Sequence, residues 1–258
     1  MAPRKTIAQR GDKRKCNDKS LFRFPQHFER YALQFETAPI IQERQVHLAD
    51  LKDSFMLRCF EGRGWYKLLG KFLGICEPLI KEFYANASLK EEHIECCVKG
   101  HTFTLDIEDI DAILRLEEQD HEVFTPFKDR MFSLKSVQLC IGGHREGRSL
   151  NTTLFPPNLR CPIYIMMFNL YPVKKLSTIN NARAIFLVEL HENTYIDISA
   201  HLYKIIEEST KITSRSKVAV LNLIMRILQD IGVENPQHIG LMTPSPPIKS
   251  QTILRSRI

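Results

Sequence analysis

Glu77-Pro78-Leu79-Ile80-Lys81-Glu82-Phe83-Tyr84-Ala85-Asn86-Ala87 is the stretch from which the fold is read. Pro78 suits the first turn of a helix, where its missing N–H would have no partner in any case. Leu79, Phe83 and Ala87 then share one face at helical spacing, so the segment reads as an amphipathic helix with a buried stripe. Upstream, Gly62, Gly64, Gly70 and Gly74 interrupt the periodicity around Trp65, which predicts a short helix or turn region anchored by that ring. Trp65 and Phe83 read as core anchors joining the N-terminal helices to a β-hairpin downstream. Glu82, Tyr84 and Asn86 are left to bond neighbouring backbone or to face outward.

Working outward, Phe28, Tyr31 and Phe35 recur at spacings of three and four, and Leu51, Phe55 and Cys59 come after Asp50 at spacings of four. Both patterns predict amphipathic helices, the second with Asp50 as N-cap. On the other side, Val98-Lys99-Gly100-His101-Thr102-Phe103 alternates around a glycine and predicts a small β-hairpin over about 94–105. Asp106 is next, an N-cap with Asp109 three residues on in a capping-box arrangement, and Ile107, Ile110 and Leu114 form the stripe behind it. Glu108, Asp111 and Arg115 are expected on the solvent face. A helix over 134–140 and a long Gly, Asn and Pro-containing loop through Pro156-Pro157 come next. Four more helices are predicted at about 162–170, 180–191, 198–209 and 216–231. The last places polar Asn222, Arg226 and Gln229 on one narrow stripe, with apolar residues nearly everywhere else.

The expected fold is therefore mainly α, a multi-helix globular domain over 21–239 with one small β-hairpin and disordered termini. Residues 1–20 lack apolar periodicity and hold seven Lys/Arg against Asp12 and Asp18, including Arg4-Lys5 and Lys13-Arg14-Lys15. Residues 240–258, with Pro244, Pro246, Pro247, Lys249, Arg255 and Arg257, read as a second basic tail. The net charge of +6 therefore belongs to the two ends, and the body is close to neutral.

Composition bounds the function classes. A chain of 258 residues that is 43% hydrophobic can bury a real core. Its longest apolar run, 163–168, is far short of the roughly 20 residues a membrane-crossing helix needs, so no membrane association is expected. The polar, basic start lacks the apolar core of a secretory signal. Seven irregularly spaced cysteines (Cys16, Cys59, Cys76, Cys96, Cys97, Cys140, Cys161) do not form a disulfide framework and are read as reduced thiols. The expectation is an intracellular protein, nuclear rather than cytoplasmic because the basic clusters resemble an import signal.

The chain holds no phosphate loop, no nucleophile elbow and no His-Glu-x-x-His. Asp53-Ser54 precedes Phe55, which removes an Asp-Ser-Gly protease signature, and no Tyr-x-Asp-Asp occurs. His93, Cys96, Cys97 and His101, and Cys140 with His144, place soft and imidazole ligands near one another without the paired spacing of a structural zinc site. Cys140 before Gly142-Gly143-His144 reads as a helix end capped by glycine. Glu108, Asp109 and Asp111 are close in sequence, but capping and a solvated helix face account for them. No catalytic residue, metal, cofactor or small-molecule substrate is expected. Arg4, Lys5, Lys13, Arg14 and Lys15 are the candidate nucleic-acid contacts, because clustered cations attract phosphate backbones without reading sequence.

Arg63-Gly64-Trp65, Pro78, Glu82-Phe83-Tyr84-Ala85-Asn86 and Val98-Lys99-Gly100, taken together, resemble the family called the putative plant transposon protein domain. The resemblance continues through Leu139-Cys140, Leu170-Tyr171-Pro172, Arg183-Ala184, Tyr195-Ile196-Asp197-Ile198 and Asp230-Ile231-Gly232-Val233, spanning about 28–234. The chain departs from the family at Ile163 and Tyr164, where Trp is usual, and at Val218–Val220, where Phe-Pro opens the last helix. The resemblance implies an origin in plant mobile-element reading frames and carries over no catalytic residue. Gly64, Trp65, Pro78, Glu82, Phe83, Tyr84, Ala85, Asn86 and Gly100 are its family-motif positions. The functional expectation is a non-catalytic binding or assembly module that contacts nucleic acid through its basic N-terminal segment or associates with itself. The alternatives are a degenerate transposase or nuclease, marked by three of Glu82, Glu108, Asp109, Asp111 and Glu189 in one cleft, and a non-functional element relic.

Overall fold

In a computed structural model, the described residues are 22–51, 57, 60–70, 72–116, 124–130, 137, 144–146, 149–211, 218–235 and 240–249. They fall into two compact units, each assembled from three separated stretches. The first draws on 1–42, 72–118 and 202–244, and the second on 43–71, 119–201 and 245–258.

The first unit is built around residues 77–87. Helix α1 (Pro25–Arg30) runs directly into a π-helical turn at Tyr31–Phe35. That wider turn shifts the phase of the predicted stripe, so Phe35 is fully buried while Phe28 is 58% exposed. In the second unit a single turn, helix α2 (Tyr66–Leu69), comes after Trp65. Back in the first unit, helix α3 (Glu77–Asn86) starts with Pro78 in its first turn, and its side chains from Leu79 to Asn86 are all buried. Strand β1 (Ser88–Leu89) then pairs with β2 (Ile94–Val98), and β2 with β3 (His101–Leu105), all antiparallel. Val98 opposes His101, and the intervening Lys99 and Gly100 both have positive φ (49° and 79°), the left-handed pair that a two-residue hairpin turn demands. Gly100 meets that demand without a Cβ penalty.

Helix α4 (Ile107–Leu114) opens with a complete capping box: Asp106 accepts from the Asp109 N–H, and the Asp109 carboxylate accepts from the Asp106 N–H. Ile110 and Leu114 are buried as the spacing requires. Asp111, expected on the solvent face, is buried instead.

The second unit holds strands β4 (His144–Glu146) and β5 (Ser149–Asn151), then helix α5 (Pro157–Ile165). Pro157 lies in the first turn of α5, and Pro162 stands inside it, removing one backbone donor. The helix continues as a π-turn at Met166–Leu170, the kind of local widening that also absorbs helix irregularity. Strand β6 (Thr178–Asn180) pairs with β5 and leads into helix α6 (Asn181–His191), where the Asn180 side chain accepts from the Arg183 N–H. Helix α7 (Ile198–Thr210) spans both assignments, residues 198–201 in the second unit and 202–210 in the first. Helix α8 (Leu221–Asp230) closes the first unit against α3 and α4.

The expectation of a mainly α domain with a single hairpin is corrected. The described residues contain two antiparallel three-stranded sheets, β1-β2-β3 and β4-β5-β6. The hairpin strands occupy the predicted span, but β1 extends them, and a second sheet joins two strands from the stretch expected as loop to β6, which lies beyond it. Strands of two or three residues are too short to display alternation, and β6 is far from β5 in sequence. The apolar register point of that sheet is Leu150 opposite Ile179, both fully buried.

The expected disorder at the C-terminal end is corrected over 240–249. Ile248 is 1% exposed and bridges Val46 in parallel, with its N–H donating to Gln45 O (2.8 Å). Arg44 donates to the Pro246 and Pro247 carbonyls, and the Met242 N–H donates to Ile75 O (2.8 Å). The basic N-terminal segment, the helix expected at 134–140 apart from Val137, and most of the Leu51, Phe55, Cys59 stripe lie outside the described residues. Among the described residues no helix is long and apolar enough to cross a membrane.

Candidate functional site

Helix α3 concentrates buried polar groups on a largely apolar element, and each is held by backbone from another element of the first unit. Glu82 is 3% exposed, and its Oε1 accepts the Lys99 N–H at 2.7 Å, at the hairpin turn. Burial pushes its carboxyl up to about 7, with the Lys99 N–H pulling the other way. Tyr84 is fully buried, stacks on Phe35 (5.9 Å between centroids) and donates its hydroxyl to Ala219 O at 2.8 Å. Asn86 Oδ1 accepts both the His27 Nδ1–H (3.0 Å) and the Arg23 N–H (3.2 Å). Burial holds His27 below its ordinary value against the opposing Asn86 bond, so the ring is neutral at physiological pH.

The ends of α3 are tied as closely. Near its start Lys81 Nζ pairs with Glu77 (2.7 Å) and donates to Glu36 O (2.6 Å). At its end Arg30 donates to Ala85 O (3.4 Å), Ala87 O (2.6 Å) and Thr210 O. One guanidinium therefore caps the carbonyl ends of both α3 and α7, where the helix dipoles favour a cation. Phe83 is fully buried, with Phe103 6.2 Å away and the Cys96 thiol donating to its carbonyl. Burial raises the Cys96 thiol well above its ordinary range, so it stays protonated and unreactive.

Of the remaining motif positions, Pro78 is exposed in the first turn of α3, Ala85 is buried and Gly100 is exposed at the hairpin turn. Gly64 (φ 67°) and Trp65 belong to the second unit, and Phe83 belongs to the first. Trp65 is 1% exposed beside Phe60, with the Arg63 guanidinium 5.2 Å from its ring. Arg63 also donates to Thr194 O at 2.6 Å.

Three of the five carboxylates considered for metal chemistry have identified structural partners. Glu82 accepts the Lys99 N–H, Asp109 completes the capping box, and Glu189 pairs with Arg130 in the second unit. Among the described residues no group of three or more His, Cys, Asp and Glu is arranged to hold a metal. Cys140 lies outside them. His201, which no sequence motif marks, is a buried histidine ringed by Phe127, Tyr171 and Phe186, with Nε2 3.1 Å from Leu170 O. Burial drives its pKa to about 3, which keeps it a neutral core group.

One surface has no counterpart among the sequence expectations. Phe22, Arg23, Phe24, Pro25 and Phe28 line an open cleft of about 240 Å³. Phe24 and Phe28 are 46% and 58% exposed, and the signal for Phe28 was a predicted core stripe that the π-turn rotates outward.

No curated protein and no solved structure matches the chain significantly. A family model, the putative plant retrotransposon-related domain, matches residues 61–234, more than half of the sequence. The match takes in Trp65, the whole of α3, the hairpin and α8, and leaves out α1 and the cleft at its N-terminal end. With α3 as its buried centre in the first unit and Trp65 anchoring the second, the chain belongs to the putative plant retrotransposon-related domain family.

Proposed function

We propose that this retrotransposon-derived chain is a non-catalytic binding module that contacts nucleic acid electrostatically through Arg4, Lys5, Lys13, Arg14 and Lys15. The observation that carries the reading is the placement of charge: seven Lys/Arg crowd the first 20 residues, while the body is nearly neutral. Cations gathered on one short segment can neutralise several phosphates and release their counterions, which supplies affinity without sequence preference. The non-catalytic part is supported by the structural bonds that occupy Glu82, Asp109 and Glu189. Nuclear residence and an assembly role on nucleic acid are the settings this reading favours.

The test is fluorescence anisotropy of the full chain with labelled single-stranded RNA and duplex DNA across a salt series. Affinity should fall steeply with salt, and replacing the five cations by Gln should flatten the single-strand slope by up to about 3.5, at about 0.7 per phosphate contact. Salt-insensitive binding, or binding that the five-charge variant leaves unchanged, would remove the proposal. Cleavage of the same strands on adding Mg²⁺ or Mn²⁺, lost in Glu82→Gln or Asp109→Asn, would replace it with the degenerate nuclease reading.

A further inference from the structure

We infer that the cleft formed by Phe22, Arg23, Phe24, Pro25 and Phe28 is a base-stacking site for single-stranded nucleic acid, an inference that rests on the electrostatic reading of the basic segment. Phe24 and Phe28 line an opening of about 240 Å³ with rings that are 46% and 58% exposed. Exposed aromatic rings beside a cation are the elements of a single-strand platform, because every unpaired base offers a π-face and every linkage a phosphate.

The platform is built rather than loose. Phe22 packs edge-on against Phe28 (5.6 Å) and at a tilt against Tyr31 (5.1 Å), which supports the aromatic cluster. The backbone beneath the rings is pinned to α3, since the Arg23 N–H and the His27 ring both donate to Asn86 Oδ1. The His27 N–H also donates to Phe24 O at 2.9 Å. Little ordering cost therefore remains for a ligand to meet.

Charge selects the occupant. The Arg23 guanidinium lies 5.3 Å from the Phe24 ring and 4.0 Å from Glu95. That exposed pair is weak and readily exchanged for a phosphate. The cleft begins at residue 22, directly after the segment carrying seven Lys/Arg, so a strand held electrostatically by that segment is delivered to the rings. Duplex bases are stacked on one another and cannot use the site.

The deciding experiment measures the full chain and its Phe24→Ala/Phe28→Ala variant against a fluorescein-labelled oligothymidine of about 15 nucleotides and a duplex of equal length, each across a salt series. Both rings are exposed, so circular dichroism should be unchanged. The inference expects the variant to lose about tenfold or more in single-strand affinity, with duplex affinity and the salt slope kept. Equal losses on both substrates, or none on either, overturn the stacking site while leaving the basic-segment reading in place. A wild-type chain that binds neither substrate removes both readings at once. Concentration-dependent self-association in sedimentation velocity that the double variant abolishes, with strand affinity intact, assigns the cleft to a second copy of the chain and overturns the inference.

Discussion

Helix α3 and the Phe22–Phe28 surface use the same materials, aromatic rings beside charged groups, with opposite burial. On α3 the rings of Phe83 and Tyr84 are fully enclosed, and Glu82 and Asn86 are occupied by backbone or ring donors from other elements. On the neighbouring surface Phe24 and Phe28 are exposed, and the Arg23 guanidinium makes a long contact with Glu95. Polar groups taken out of water must be satisfied internally, so α3 is committed to holding the unit together. A surface whose rings remain in water is free to meet a ligand.

That contrast can be broken most directly at Phe83. Phe83→Ala should cost about 3–5 kcal/mol, read as a fall in the denaturant midpoint, because a fully buried ring is replaced by a cavity. A loss under about 1 kcal/mol would mean that α3 is not the centre of the first unit.

Next in size is a pH effect at Glu82. Its folded value of about 7 lies above the ordinary 4.5, so the folded state holds this proton more tightly than the unfolded chain does. The stabilisation is fully present below pH 4.5 and is lost as pH rises through about 7, at up to about 1.4 kcal/mol per unit. Denaturant midpoints measured from pH 4.5 to 8 should fall for the wild type, and the difference from Glu82→Gln should account for that slope. Identical profiles would show that Glu82 is solvated.

Arg30→Ala should cost about 1.5–3 kcal/mol by leaving the Ala85, Ala87 and Thr210 carbonyls without their charged donor. Hydrogen exchange is the sharper readout, with protection lost first at the ends of α3 and α7. Tyr84→Phe keeps the ring and removes the hydroxyl's bond to Ala219 O, for about 1 kcal/mol. Smallest of all, Phe24→Ala and Phe28→Ala should change stability by no more than about 0.5 kcal/mol while altering strand binding. A thermal shift as large as that of Arg30→Ala would place those rings in the core and end the contrast.

Legibility tracked the range of the interactions. The capping box at Asp106 and Asp109, the Lys99-Gly100 turn and the Pro78 helix start were readable because each is made by residues within a few positions of one another. The β5–β6 pairing was not, since its strands are three residues long and join positions well apart in sequence. Phe28 departs from the expected stripe because a period of 3.6 assumes an uninterrupted α-helix, and the π-turn at Tyr31–Phe35 breaks that assumption. One apolar residue among prolines carries no periodic signal, so Ile248 is illegible in the sequence, yet backbone bonds to Gln45 and His47 hold it.

By itself, the sequence determined the family, the helix and hairpin over 77–105, and the concentration of positive charge at the two ends. These depend on residue identity and on neighbours along the chain. Only the tertiary structure decided that Glu82 and Asn86 are buried and bonded, that Arg30 caps two helices, that a second sheet exists, and that Phe24 and Phe28 face water. A polar residue's burial and a ring's exposure are set by which distant backbone arrives beside them, and that information is spread over the whole chain.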